Sequence, residues 1–130
     1  MTYGDDDTRA YFVTTAIPYV NATPHVGFAA ELLQADVLAR RHRLAGDDVR
    51  FLTGTDENSL KNARAATSER VSTESLVQRN AEAFRRLRSA LDLSWDDFIR
   101  TSADARHHRG VNALWRRCAA AGDVYKGRYA

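Results

Sequence analysis

Two short runs of aromatic and β-branched residues flank one long stretch of helix formers, and this strand–helix–strand pattern constrains the fold more than any other feature. Tyr11-Phe12-Val13-Thr14-Thr15 reads as a strand, and its unbroken apolar character predicts burial on both faces, as in a parallel sheet. From about Gly27 to Ala45 the residues are mostly Ala, Leu, Glu, Gln and Arg, which favour helix. Leu33, Val37 and Leu44 share one face of it. Arg40, Arg41, His42 and Arg43 complement the negative end of its dipole, and Gly46 suits the left-handed residue that follows. Val49-Arg50-Phe51-Leu52-Thr53 is the second strand. A helical crossover makes the two strands parallel and the connection right-handed.

Beyond this unit the chain is mainly helical. A short helix is expected over 59–67 and a longer one over 72–91, capped by Ser72, with Val77, Ala81, Phe84, Leu87 and Leu91 as its apolar stripe. Trp95 and Phe98 fall in a short connection, and a last helix over 104–121 ends at Gly122. Trp115 is expected in the core and Cys118 as a small buried hydrophobe. The organisation expected is a flexible N-terminus over 1–10, then one α/β unit over 11–130 whose abrupt end suggests an interruption.

With 130 residues and one cysteine, the chain holds neither an internal disulfide nor a cysteine-rich zinc site of its own. The formal charge of +2 does not announce a nucleic-acid binder. The acidic start is not that of a signal peptide, and no apolar segment approaches the ~20 residues of a bilayer span. A cytoplasmic protein without a membrane is therefore expected. Adjacent His107 and His108 diverge by ~100° on a helix and make a poor metal pair. Arg85, Arg86 and Arg88 form a basic face that suits solvent or nucleic-acid phosphate.

Ligands of parallel sheets bind beyond the carboxyl ends of the strands. Two segments meet that edge, AIPYVNATPHVGF after the first strand and GTDENS after the second, and they should lie side by side. The helix beginning near Gly27 offers unpaired N–H groups to a phosphate, with His25 and Asn21 as neighbouring donors. On spacing alone, the favoured reading is turn chemistry at Pro24 and Gly27 with His25 as a helix cap. Asp56 can hold an ammonium or a hydroxyl, or can cap the helix that follows. Neither a G-x-x-x-x-G-K-[ST] loop nor a G-x-G-x-x-G fingerprint is present.

The runs YFVTTAIPYVNATPHVGFAAELLQADVLARRHRLAGDDVRFLTGTDENSLKN and DDFIRTSADARHHRGVNALWRRCAAAGDVYKGRYA closely resemble the methionyl-tRNA synthetases, a family of class I aminoacyl-tRNA synthetases. The resemblance implies a Rossmann-like α/β fold, here an incomplete N-terminal half with a parallel βαβ unit followed by helices. It implies methionine–tRNA ligase activity using ATP with Mg²⁺, and methionine and tRNA as partners. By the same resemblance Ile17 and Tyr19 line the methionine pocket, and Asp56 holds the α-ammonium. His25-Val26-Gly27-Phe28 matches the His-Ile-Gly-His signature, whose histidines stabilise ATP phosphates, so His25 is the catalytic match, with Asn21, Gly27 and Phe28 beside the nucleotide. Two sites depart from the pattern: Phe28 replaces the second signature histidine, and Asn58-Ser59 stands in place of His-Gly. These departures and the length suggest a fragment or divergent copy. The alternatives are a paralogue activating an amino acid outside translation, or a non-catalytic nucleotide-binding piece.

Overall fold

The computed structural model describes residues 9–128, so most of the expected N-terminal segment lies outside the described residues. The elements are β1 (Ala10–Thr14), α1 (Val26–Leu44), β2 (Asp48–Thr55), α2 (Leu60–Glu69), α3 (Thr73–Arg85), α4 (Leu87–Ala90), β3 (Asp97–Arg100) and α5 (Ala105–Ala121). The strands form one sheet in the order β1-β2-β3, and both pairings are parallel. Val13 lies opposite Phe51, and Gly54 opposite Ile99.

The strand–helix–strand expectation holds, including the parallel pairing. Gly46 has φ +90° and follows the last turn of α1, and Gly122 has φ +83° at the end of α5. Both positions require a residue that tolerates the left-handed region.

The face of α1 that meets the sheet is not the one marked by Leu33, Val37 and Leu44, which are all exposed. Phe28, Leu32, Ala35, Asp36 and Ala39 are buried instead. Alanines at the contact let the helix approach the strands closely, so small residues define this face better than large ones. Asp36 is buried among them because it is fully used: Oδ1 accepts from the N–H and hydroxyl of Ser94, each at 2.6 Å, and Oδ2 accepts from Arg40 Nε at 2.6 Å. Burial pushes this carboxyl up, but the Ser94 and Arg40 donors outweigh it and hold the group below the usual carboxylate range.

Residues 97–100 form a strand, where a connection was expected. Trp95 just before it is buried in the core with Leu93, Phe84, Leu76 and Phe51. The predicted helix over 72–91 is split into α3 and α4 at Arg86, while Val77, Ala81 and Phe84 face the core as its stripe demanded. Burial of β1 on both faces is not seen. Val13 is buried, but Phe12, pointing to the other side, is 63% exposed because no described element covers that face.

In α5 no residue is buried: Trp115 is exposed, and Cys118 is only half-buried. Both corrections have one cause. Ionic contacts near its amino end, not an apolar seam, hold this helix: Arg106 donates to Asp97 Oδ2 at 2.7 Å and to Asp104 Oδ2 at 2.6 Å.

Candidate active site at the carboxyl edge of the sheet

The two segments that leave β1 and β2 do lie side by side. Tyr19 and Asp56 form an isolated parallel bridge, in which the Asp56 N–H donates to the Pro18 carbonyl at 2.9 Å. Each segment is held from behind by a buried amide. Asn80 of α3 donates from Nδ2 to the Val20 carbonyl at 2.7 Å, and Asn62 of α2 donates from Nδ2 to the Glu57 carbonyl at 2.9 Å. Glu31 adds a third tie, accepting from the Ala16 N–H at 2.7 Å. A buried carbonyl left without a donor costs free energy, so these amides hold both segments in place.

His25 is the N-cap of α1, and its Nδ1 accepts from the Gly27 N–H at 3.1 Å. The capping alternative is therefore met, and it also sets the tautomer. An Nδ1 that accepts carries no proton, so the neutral ring bears its proton on Nε2 as a donor. The cap thus leaves a hydrogen-bond donor on an exposed imidazole at the positive end of a nineteen-residue helix.

Gly27 matters first for this ring. A Cβ there would lie 3.0 Å from His25 Cε1 and 3.1 Å from Nδ1. Phe28 does not share the surface with His25. Its ring, expected beside the nucleotide, is buried and meets Phe84 edge-on, centroids 5.0 Å apart. Asn21 sits half-buried in the bend between the two prolines.

Asp56 is not the cap of α2. Ser59 takes that role, accepting from the Asn62 N–H at 3.2 Å, while Asp56 Oδ1 accepts from the Asn58 N–H at 3.2 Å. Asp56 Oδ2 makes no hydrogen bond to the described residues. The carboxylate lines a cleft of about 710 Å³ together with Ile17, Asn58, Thr101, His107 and His108. Ile17 and Tyr19 are both partly exposed at this edge, and Lys61 Nζ lies 5.2 Å from the centroid of the Tyr19 ring.

Asn62, Asn80, Glu31 and Lys61 were not marked by the sequence. The alternation of polar and apolar residues around Asn80 gives the only signal: it shares the buried face of α3 with Val77, Ala81 and Phe84.

A parallel sheet with two backbone-tethered loops at its carboxyl edge, a capped helix amino end and a carboxylate lining a cleft make up the carboxyl edge of a Rossmann-like α/β unit. The Agrobacterium radiobacter K84 agnB2 LeuRS, solved in a ternary complex with tRNA and LeuAMS, shares the fold at TM-score 0.77 and 19% identity, over 92% of this chain and 16% of that one.

The chain belongs to the family of tRNA synthetases class I (M), whose model matches residues 11–130. It is 54% identical over 121 residues to the methionine–tRNA ligase of Mycobacterium bovis, covering 93% of this chain and 23% of the relative. It is also similar to the Mycobacterium tuberculosis methionyl-tRNA synthetase solved in complex with methionyl-adenylate, at TM-score 0.88 and 53% identity over 91% of this chain and 23% of that one. The chain thus spans about a quarter of the length of the curated relatives it matches.

Proposed function

We propose that the chain serves methionine activation: ATP-dependent formation of methionyl-adenylate, followed by transfer of methionine to tRNA, as part of a methionine–tRNA ligase. The observation that carries this reading is Asp56. Ser59 relieves it of capping α2, and its carboxylate lies in a cleft with Ile17. A carboxylate with an unused oxygen pairs with the α-ammonium of an amino acid through a charge-assisted hydrogen bond. Ile17 and the Tyr19 ring supply apolar and aromatic surface suited to a polarizable thioether.

In the proposed step a carboxylate oxygen of methionine attacks the α-phosphorus of ATP. The new C–O–P bond forms as the bond to pyrophosphate breaks, and no covalent enzyme intermediate is needed. His25 donates from Nε2 to a phosphate oxygen as its charge grows, and the amino end of α1 adds its partial positive charge. Gly27 keeps the ring of His25 seated, and Asn21 is proposed as a further donor beside the phosphates. Transfer then joins the methionyl group to a tRNA hydroxyl with release of AMP.

Among the described residues no three His, Cys, Asp or Glu side chains come together to hold a metal. Mg²⁺ is accordingly proposed as the counter-ion of the ATP phosphates, where it would neutralise charge. A cytoplasmic setting is proposed with the same reaction; no described helix is long and apolar enough to cross a membrane.

A second reading, in which these residues bind methionine without completing adenylation, is favoured by Phe28 in place of the second signature histidine, which leaves His25 as the one signature imidazole. Methionine-dependent ATP–pyrophosphate exchange by the chain, with leucine as control, supports activation. Methionine binding by calorimetry without exchange supports the second reading, and neither binding nor exchange overturns both.

A further inference from the structure

Glu57 stands next to Asp56, and while Asp56 lines the open cleft, Glu57 is buried. Its side chain is fully buried, which is expensive for a carboxylate unless it is paired. Arg100 pairs it: Nε donates to Glu57 Oε1 at 2.5 Å, and Thr55 Oγ1 donates to the same oxygen at 3.2 Å. Arg100 is itself held, since Nη1 donates to Gln78 Oε1 at 2.6 Å. The Glu57 N–H donates to Thr101 Oγ1 at 2.8 Å, so side chain and backbone of one residue both anchor to the carboxyl end of β3. Glu57 Oε2 is buried with no hydrogen-bond partner among the described residues.

Stability alone does not explain this arrangement. A buried ion pair is often no better than an apolar pair of the same volume, and an orphaned carboxylate oxygen adds to its cost. Its geometric effect is specific: Glu57 is pinned to Arg100 and Thr101, Asn62 fixes its carbonyl, and the adjoining Asp56 lines the cleft.

We infer that Glu57 and Arg100 are the positioning pair of Asp56. They aim its carboxylate at the amino-acid cleft, and Arg100 cancels the charge of Glu57, so an incoming ammonium meets one net negative charge. The inference rests on the proposed role of Asp56 as ammonium ligand.

The test uses the chain with Glu57→Gln, Arg100→Gln and Arg100→Lys, each checked for native circular dichroism. Glu57→Gln and Arg100→Gln should weaken methionine binding by about tenfold, the scale of one lost charge-assisted hydrogen bond, and leave ATP binding unchanged. Arg100→Lys keeps the charge and should recover binding to within about threefold of the parent. Hydrogen exchange at the Asn58 amide, which donates to Asp56 Oδ1, should accelerate in the two Gln variants while amides of β2 keep their protection. Equal loss of methionine and ATP binding, unchanged Asn58 exchange, or Arg100→Lys as weak as Arg100→Gln overturns the inference. A parent chain that binds no methionine overturns the proposed function instead, and Asn58 exchange in the unliganded chain then decides the role of the pair alone.

Discussion

Asn80 and Val20 are sixty residues apart in the chain, yet the Asn80 amide donates to the Val20 carbonyl at 2.7 Å in a fully buried contact. The bond ties α3 to the loop that carries Ile17, Tyr19 and Asn21. Asn80→Ala leaves that carbonyl without a partner and should cost about 1–3 kcal/mol of stability. The same variant should raise both the methionine KM and the ATP KM in pyrophosphate exchange, because Ile17, Tyr19 and Asn21 all lie on the released loop. Denaturant unfolding and steady-state kinetics check the two parts.

His25 caps α1 and is proposed to serve the chemistry, and substitution can separate the two roles. His25→Asn keeps a side-chain acceptor, and asparagine is among the best N-caps, so stability should stay within about 0.5 kcal/mol of the parent. The imidazole donor is lost, and exchange activity should fall by about 10²–10³-fold if that donor faces the transition state. A His25→Asn variant that exchanges at the parent rate would remove His25 from the chemistry and leave it a cap.

Gly54 allows no side chain. A Cβ there would lie 2.2 Å from the carbonyl oxygen of Ile99 and 2.6 Å from Ile99 Cγ2. The obstructing atoms include backbone of the neighbouring strand, so the sheet must shift to admit a methyl group. Gly54→Ala should destabilise the chain by about 1–3 kcal/mol, the range for overpacking, and a loss below about 0.5 kcal/mol would show that β3 yields easily.

Phe28→His tests what the buried ring implies. The imidazole would replace a ring packed against Phe84 in the core, and the loss of that contact and the burial of a polar group should cost about 1–3 kcal/mol. A rise in exchange rate without loss of stability would mean that this side chain can swing out to the nucleotide edge.

Acid should loosen α5 before the sheet. Arg106 holds Asp104 down to about 2, first by its side-chain hydrogen bond, and Arg106 likewise lowers Asp97. A carboxyl whose folded-state pKa is depressed contributes stability that is present above its ordinary value near 3.8 and lost as pH falls toward 2. Amide exchange followed from about pH 5 to about pH 2 should show protection lost first over residues 105–121. Arg106→Ala should bring the same loosening at neutral pH.

The strand–helix–strand unit was legible because its residue preferences, aromatic and β-branched in the strands and helix-forming between them, are local. The meeting of the segments around Tyr19 and Asp56 followed from topology alone. Residues 97–100 escaped because a four-residue strand beginning with Asp and ending with Arg carries no alternation to detect. The buried face of α1 was missed because Ala35 and Ala39 mark it less strongly than exposed leucines mark the other side. Buried amides such as Asn62 and Asn80 look in sequence like any surface amide; only the fold reveals which carbonyl each one serves. Trp115 was read as core on chemistry alone, and the geometry of α5 places it in solvent.

The long reach from Asn80 back to Val20 has a consequence for the order of events during folding. Strand β1 and helix α1 can meet early, since they are joined by a short stretch of chain. Ordering the loop between them must wait for a residue sixty positions later, and α1 is bolted to Ser94 across fifty-eight. Contacts of such separation carry their loop-closure cost before they return any gain, so they belong to the late, slow part of folding. The loop between β1 and α1 would therefore be the last part of the unit to set, and a chain arrested before α3 would lack the Asn80 tie that holds it.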